Sequence, residues 1–138
     1  MAIHTELPIY KVAYDLLGVV IQLVKNMPRE VKQSIGAKIR DECIEVSTLV
    51  FRANVAQDKA PHLLDLLEHL QVAELLLRLA RDHRFISTGQ YAQAIALTGS
   101  IGKQANGWRK SGPAVPRNQH LTLDFFPYGN AVSCRTAV

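Results

Sequence analysis

Few residues of this chain have both the type and the spacing for bond-making chemistry. Asp65 and His69 are one helical turn apart, with Glu68 beside them, and ligands at that spacing can share a metal ion on one helix face. A di-iron bundle needs a second Glu-x-x-His helix and two further inward glutamates, and the chain offers no such second set. His69 therefore reads as a surface or partly satisfied residue. The other histidines, His4, His62, His83 and His120, stand apart from one another. Ser87 begins an S-x-x-Q pattern and is better explained as a helix cap than as a nucleophile. Cys43 falls on an apolar stripe, where a thiol is inert. The phosphate-loop, dinucleotide, zinc-protease and nucleophile-elbow patterns are all absent. The expectation is a protein that is not an enzyme, with no metal and no cofactor.

Charge is the remaining chemistry. The net charge is +4 on 138 residues, which says little by itself, but the placement is uneven. Lys25, Arg29, Lys32, Lys38 and Arg40 face only Glu30 between residues 25 and 40. Seven acids against Arg52 and Lys59 make residues 41–74 acidic. Arg78, Arg81, Arg84, Lys103, Arg109, Lys110 and Arg117 then face only Asp82. Cations near a helix C-terminus complement the helix dipole, which accounts for Lys25, Arg78, Arg81 and Arg84. Arg29 and Lys32 have no such reason, because they sit at a helix start. Phosphate binding is a reason outside the helix, since clustered bases displace counterions from a polyanion; a solvated basic end is the competing reading.

Four helices must position these groups. The first covers about 8–26: Lys11, Asp15, Gly18, Gln22 and Lys25 form its polar stripe, in helical steps of 4, 3, 4 and 3. Ile9, Val12, Leu16, Val19 and Leu23, then Ala13, Leu17, Val20 and Val24, run beside it, and Tyr10, Tyr14 and Ile21 widen the apolar face. One bundle core needs only about three of seven positions apolar, so this helix has a second face to bury, and Tyr10, Tyr14, Leu17 and Ile21 are the expected contacts with another subunit. Asn26-Met27-Pro28 breaks the pattern, with Pro28 suited to the first position of the next helix. That second helix runs to about 54, with Val31, Ile35, Ile39, Cys43, Val46, Val50 and Ala53 inward.

The third helix, from near Pro61 to about Arg84, holds nine leucines between Leu63 and Leu79. The fourth follows the Ser87–Gln90 capping box, flanked by Ile86 and Tyr91 as a hydrophobic staple. Tyr91, Ile95, Thr98, Ile101, Ala105 and Trp108 then step by 3 and 4 along it, while Gly99 and Gly102 weaken it or mark close packing. No strand pattern appears before residue 118, and short connections make neighbours antiparallel. The expected fold is all-α: an up-down-up-down four-helix bundle over 1–110 with a C-terminal tail at 111–138.

The topology carries the end of the first helix, the start of the second, the end of the third and the start of the fourth to one pole. Lys25, Arg29, Lys32, Arg78, Arg81 and Arg84 gather there. Lys103, Arg109 and Lys110 belong to the opposite pole, with Arg52 and Lys59. In the tail, Leu121, Leu123 and Phe125 alternate before Phe126 and Tyr128. This reads as a frayed terminus or as a segment that docks on a partner. Lys11 and Asp15 interrupt the first apolar region, so no signal peptide is expected, and no window is apolar enough for a membrane span. The cysteines, Cys43 and Cys134, lack disulfide or metal spacing, which fits a reducing cytoplasm.

Residues 8–110 resemble the four-helix-bundle family that includes the accessory variability determinant of diversity-generating retroelements (Avd-like proteins), related to proteins encoded in ribosomal-RNA intervening sequences. The resemblance rests on Ile9-Tyr10 opening the first helix, the break Asn26-Met27-Pro28-Arg29 and the leucine-rich third helix ending Leu75–Arg84. It also rests on Ile86-Ser87-x-x-Gln90-Tyr91 and the closing Gly107-Trp108. Many intervening-sequence members carry an Asn-x-Ala-Glu-Gly-like run after the second helix; here that region reads Arg52-Ala53-Asn54-Val55-Ala56-Gln57, which favours the Avd side. The resemblance implies a non-enzymatic accessory protein that forms a basic homopentamer and binds a reverse transcriptase with template RNA or cDNA. The bases Lys25, Arg29, Lys32, Arg78, Arg81, Arg84, Lys103, Arg109 and Lys110 are the expected contacts. The alternative is a protein-interaction bundle of the intervening-sequence type that does not bind nucleic acid directly.

Overall fold

Proline and capping residues delimit the helices. Leu7 is extended and Pro8 opens α1 (Pro8–Lys25), where its missing N–H is no loss. Pro28 forces the preceding residue out of helical geometry and is the N-cap of α2 rather than its first residue. Helix α2 occupies 29–55 in three parts: an α-helical turn at Arg29–Val31, a π-helical turn at Lys32–Gly36 and an α-helix at Ala37–Val55. Helices α3 (Ala60–Asp82) and α4 (Thr88–Lys110) complete the set. The computed structural model describes residues 7–111. The expected tail beyond 111 lies outside the described residues.

The fold is all-α, as the apolar spacing predicts. Its seams step by 3 and 4, as in Ile9-Ala13-Leu16-Val20-Leu23, Leu63-Leu66-Leu70-Ala73-Leu77-Ala80 and Ala94-Thr98-Ile101-Ala105, all buried. That alternation averages 3.5 residues and produces the knobs-into-holes packing of a left-handed bundle. Each helix packs on its sequence neighbours and α1 closes against α4, so α1 and α3 stand diagonally. Gln22 and Leu23 of α1 share a groove with Gln90 and Gln93 of α4, as antiparallel helices require.

The π turn was not foreseen. Ala37 N–H bonds to the Lys32 carbonyl five residues back, which inserts one extra residue and shifts the helical phase. Val31 and Ile35 are consequently half-buried rather than buried, while Ile39, Cys43, Val46, Val50 and Ala53 are buried as expected. The turn also brings Gly36 against the end of α1. A Cβ built there would lie 2.9 Å from Val24 Cγ1 and 3.2 Å from Met27 Sδ. Val24 is β-branched and stiff, so it cannot yield cheaply. Of the two glycines marked in α4, Gly102 does pack closely, its Cβ position 3.5 Å from Leu70 Cδ2, whereas Gly99 has nothing within 4 Å.

Gly18, in the middle of α1, likewise has nothing within 4 Å. Gly36→Ala should therefore destabilise by about 1–3 kcal/mol through overpacking. Gly18→Ala should stabilise by about 0.5–1 kcal/mol through helix propensity. Denaturant midpoints of the two variants check this opposite pair of signs.

Candidate nucleic-acid interface

The pole formed by the ends of α1 and α3 and the starts of α2 and α4 carries the expected bases, and they differ in how far they are committed. Lys25, Arg29, Arg78 and Arg84 are exposed and Lys32 is half-buried. Arg81 is held: its Nη2 donates to Asp82 Oδ1 at 2.8 Å and its Nε at 3.1 Å, and its guanidinium lies 4.3 Å from the Tyr91 ring centre. The hydrogen bond to Asp82 raises the Arg81 pKa, and the same bond holds the Asp82 carboxyl below the usual range. Arg81 therefore braces the α3–α4 corner and offers the solvent a partly neutralised charge.

Arg84 is the backbone exception at this pole. Its φ of 61° is the one positive value among the described non-glycine residues. Phe85 N–H bonds to Ala80 O at 2.8 Å and Arg84 N–H to Arg81 O at 3.0 Å. That pair of bonds is a Schellman closure of α3, in which the left-handed position usually falls to glycine. Arg81, Arg84, Ile86, Ser87, Thr88 and Gln90 border an open cleft of about 640 Å³. Its far wall is the start of α4, where the predicted capping box is complete. Ser87 Oγ accepts from Gln90 N–H at 3.0 Å, and Gln90 Oε1 accepts from Ser87 N–H at 2.9 Å.

The second basic group stands at the other end. Lys103 and Lys110 are exposed, while Arg109 is half-buried and donates from Nη2 to Asn106 Oδ1 at 3.2 Å. At 1.5 Å per residue, a 23-residue helix separates the poles by about 35 Å, so the nine expected bases form two surfaces and not one. Lys59 stands at this pole as expected, but its charge is engaged. Its Nζ donates to the carbonyls of Ala53 and Ala56 at 2.9 Å and of Asn54 at 3.3 Å, and it lies 5.7 Å from the Trp108 ring centre. It closes the C-terminus of α2, satisfying carbonyls that the helix leaves unpaired.

The expected subunit contacts also fall on one side. Tyr14 and Ile21 are 67% and 53% exposed, with Tyr10 and Leu17 half-buried beside them. Tyr10 stacks on Phe51 of α2 with ring centres 5.6 Å apart. Phe51, Ile44 and Val55 extend the apolar surface onto α2. A second exposed apolar surface, unremarked in the sequence, lies on α3 at Val72, Leu75 and Leu79.

The inner titratable groups serve packing. His69 Nδ1 lies 2.6 Å from Glu42 Oε1, and Lys38 Nζ 2.8 Å from Glu42 Oε2. Thus His69 is turned onto α2 and away from Asp65 and Glu68. Thr98 Oγ1 donates to Glu74 Oε2 at 2.7 Å. Burial pushes the Cys43 thiol up to about 12, so it is not a nucleophile at neutral pH.

Fold and surface define a helical bundle that presents charged poles and apolar flanks. No described helix is long and apolar enough to cross a membrane. A family model described as bAvd-like matches residues 7–112, and the chain belongs to the bAvd-like family. Proteins of this family are accessory and non-catalytic in kind, and the membership suggests an accessory protein of a diversity-generating retroelement. A search of curated proteins finds no match.

Glu42 is one source of acid sensitivity. Burial opposes its charge, but the hydrogen bonds from Lys38 and His69 outweigh that and hold its pKa below 4.5. A depressed folded pKa contributes stability above the unfolded value and loses it as pH falls through the folded one. Lowering the pH from about 7 to about 3 should therefore destabilise the wild type more than Glu42→Gln, a difference that urea unfolding at the two pH values reads directly.

Proposed function

We propose that this protein is a cytoplasmic, homopentameric accessory subunit that holds template RNA or cDNA and a reverse transcriptase for mutagenic copying in a diversity-generating retroelement. The observation that carries the nucleic-acid part is Arg84. A side chain in the left-handed region costs roughly 1 kcal/mol relative to glycine. Arg78 and Arg81 already complement the dipole at the end of α3, so helix stability gives no reason for a third, strained base. An exposed cation at the α3–α4 corner, at the same pole as Arg29 and Lys32 where the helix dipole disfavours bases, suits a phosphate chain. Backbone strain at a functional residue is a recurring compromise.

Arg84→Gly should then move two properties in opposite directions. Thermal stability should rise, by about 0.5–1 kcal/mol. Affinity for single-stranded RNA should fall, with the slope of log affinity against log salt shallower by about 0.7 for one lost phosphate contact. Arg29→Glu should reduce the slope further. If both variants bind as the wild type does, the bases are a solvated end, and the protein-interaction bundle without nucleic-acid binding becomes the better reading.

Assembly is supported by the two apolar surfaces on different helices, which suit heterologous contacts that close a ring. Charges of both signs border the two surfaces: Lys11, Asp15, Asp41 and Arg52 on the α1–α2 side, and Asp65, Glu68 and Arg78 on α3, all exposed. Ile21→Glu with Leu75→Glu places like charges across this contact, and light scattering should report the 15.3 kDa monomer. An unchanged oligomer would remove these residues from the interface.

A further inference from the structure

We propose that residues 121–128 dock, extended, into the groove between α1 and α4 of their own subunit. The groove has a volume of about 650 Å³; Val19, Leu23, Ala96 and Leu97 are among its lining residues, and Asp15, Gln22, Gln90 and Gln93 are its polar ones. Gly18, also a lining residue, has nothing within 4 Å of a Cβ built on it, so the α1 wall is low at this point.

Reach and pattern identify the occupant. Helix α4 ends at Lys110, at the pole where α1 begins. Fourteen residues of helix separate Ser111 from Leu97, about 21 Å. Residues 112–120 span up to about 30 Å when extended, so Leu121 arrives at the level of Leu97 and Tyr14. From there Leu121 to Phe125 covers about 13 Å, which matches the roughly 12 Å from Tyr14 to Gln22 along α1. Alternation turns Leu121, Leu123 and Phe125 to one side, and Phe126 is held extended by Pro127. An extended chain laid on helices needs partners for its backbone polar groups. The amides of Gln22 and Gln93 supply both donors and acceptors at the right place.

The groove on the other side of α4 is already filled. Arg81 lies on Tyr91, Thr98 bonds Glu74, Gly102 meets Leu70 and Lys59 lies on Trp108. Tethering to α4 raises the effective concentration of the segment at this groove to the millimolar range, which favours its own subunit over a free partner.

The test is cross-linking in the full chain carrying Cys134→Ser, with the inert Cys43 kept. Gln93→Cys paired with Leu123→Cys should form a disulfide within one chain at least tenfold faster than Glu68→Cys, on the outer side of α3, paired with Leu123→Cys. A second readout is hydrogen exchange. Amides of 121–125 should be protected at least tenfold, and Phe125→Asp, which leaves the bundle unaltered, should abolish that protection. Equal rates at the two positions, disulfides formed only between chains, or no protection in the parent protein would each overturn the proposal.

Discussion

Short connections govern this molecule. With only residues 26–28, 56–59 and 83–87 between helices, each helix must reverse the direction of the one before it, and every segment of sequence is thereby assigned to a pole. Charges distant along the chain become neighbours without any need to attract one another. The basic stretches at 25–32 and 78–84 meet because the connections between α1 and α2 and between α3 and α4 lie at the same end. Repulsion at such a pole is tolerable because its charges are exposed and screened within about 10 Å at ordinary salt. The stability comes from the apolar seams, and partly buried hydrogen bonds set the level of one helix against another. Glu42 with His69 ties α2 to α3, and Glu74 with Thr98 ties α3 to α4. Slipping either pair along the axis would break a partly buried hydrogen bond, a loss of about 1 kcal/mol.

Departures from regular backbone concentrate at the basic pole. The π turn at Lys32–Gly36 and the left-handed Arg84 both lie there, while the opposite pole is closed by an ordinary lysine cap. The π turn has a packing cause, since Gly36 admits Val24 and Met27 at a corner where a regular side chain would collide. Arg84 has no comparable packing partner: it is exposed, and its backbone geometry would suit glycine better. The two irregularities thus differ in kind, one resolved by close packing and the other left as strain on a charged residue.

Much of this is legible in the residues. Apolar steps of 3 and 4 continue through all four helices, prolines and the capping box mark their starts, and the ring of neighbours follows from loop length. Side-chain destinations are less legible. Lys59 counts as a free base until the chain reversal at 56–59 returns it over the last carbonyls of α2. Arg81 looks equivalent to Arg78 until Asp82 and Tyr91 enclose it. The π turn did leave a trace, because Val31, Ile35, Ile39 and Cys43 step by 4 three times running, more than 3.6 residues per turn allows. The α3 surface is hidden by its own composition: in a leucine-rich helix, core and outer leucines differ only in phase.

That phase bears on how copies would fit together. His69 faces α2 through Glu42, and Val72 and Leu79 stand three residues beyond His69 and Leu76, so they lie on the α2-ward flank of α3. Leu75 occupies the outermost position between the flanks, 66% exposed. The other apolar surface spans the α1–α2 side, fixed by the Tyr10–Phe51 stack. In a square of four helices, neighbouring sides are at right angles and a corner turned away from a side makes an obtuse angle with it. A surface centred between the α2–α3 side and the α3 corner therefore meets the α1–α2 surface at an obtuse angle. Two faces at a right angle close four copies, and faces back to back make a straight filament that never closes. An obtuse angle between these limits is compatible with the ring proposed above, which would place the basic poles of all copies on one rim. In such a ring, repetition around the axis would turn Arg29, Lys32 and Arg84, minor on one subunit, into a band of positive potential.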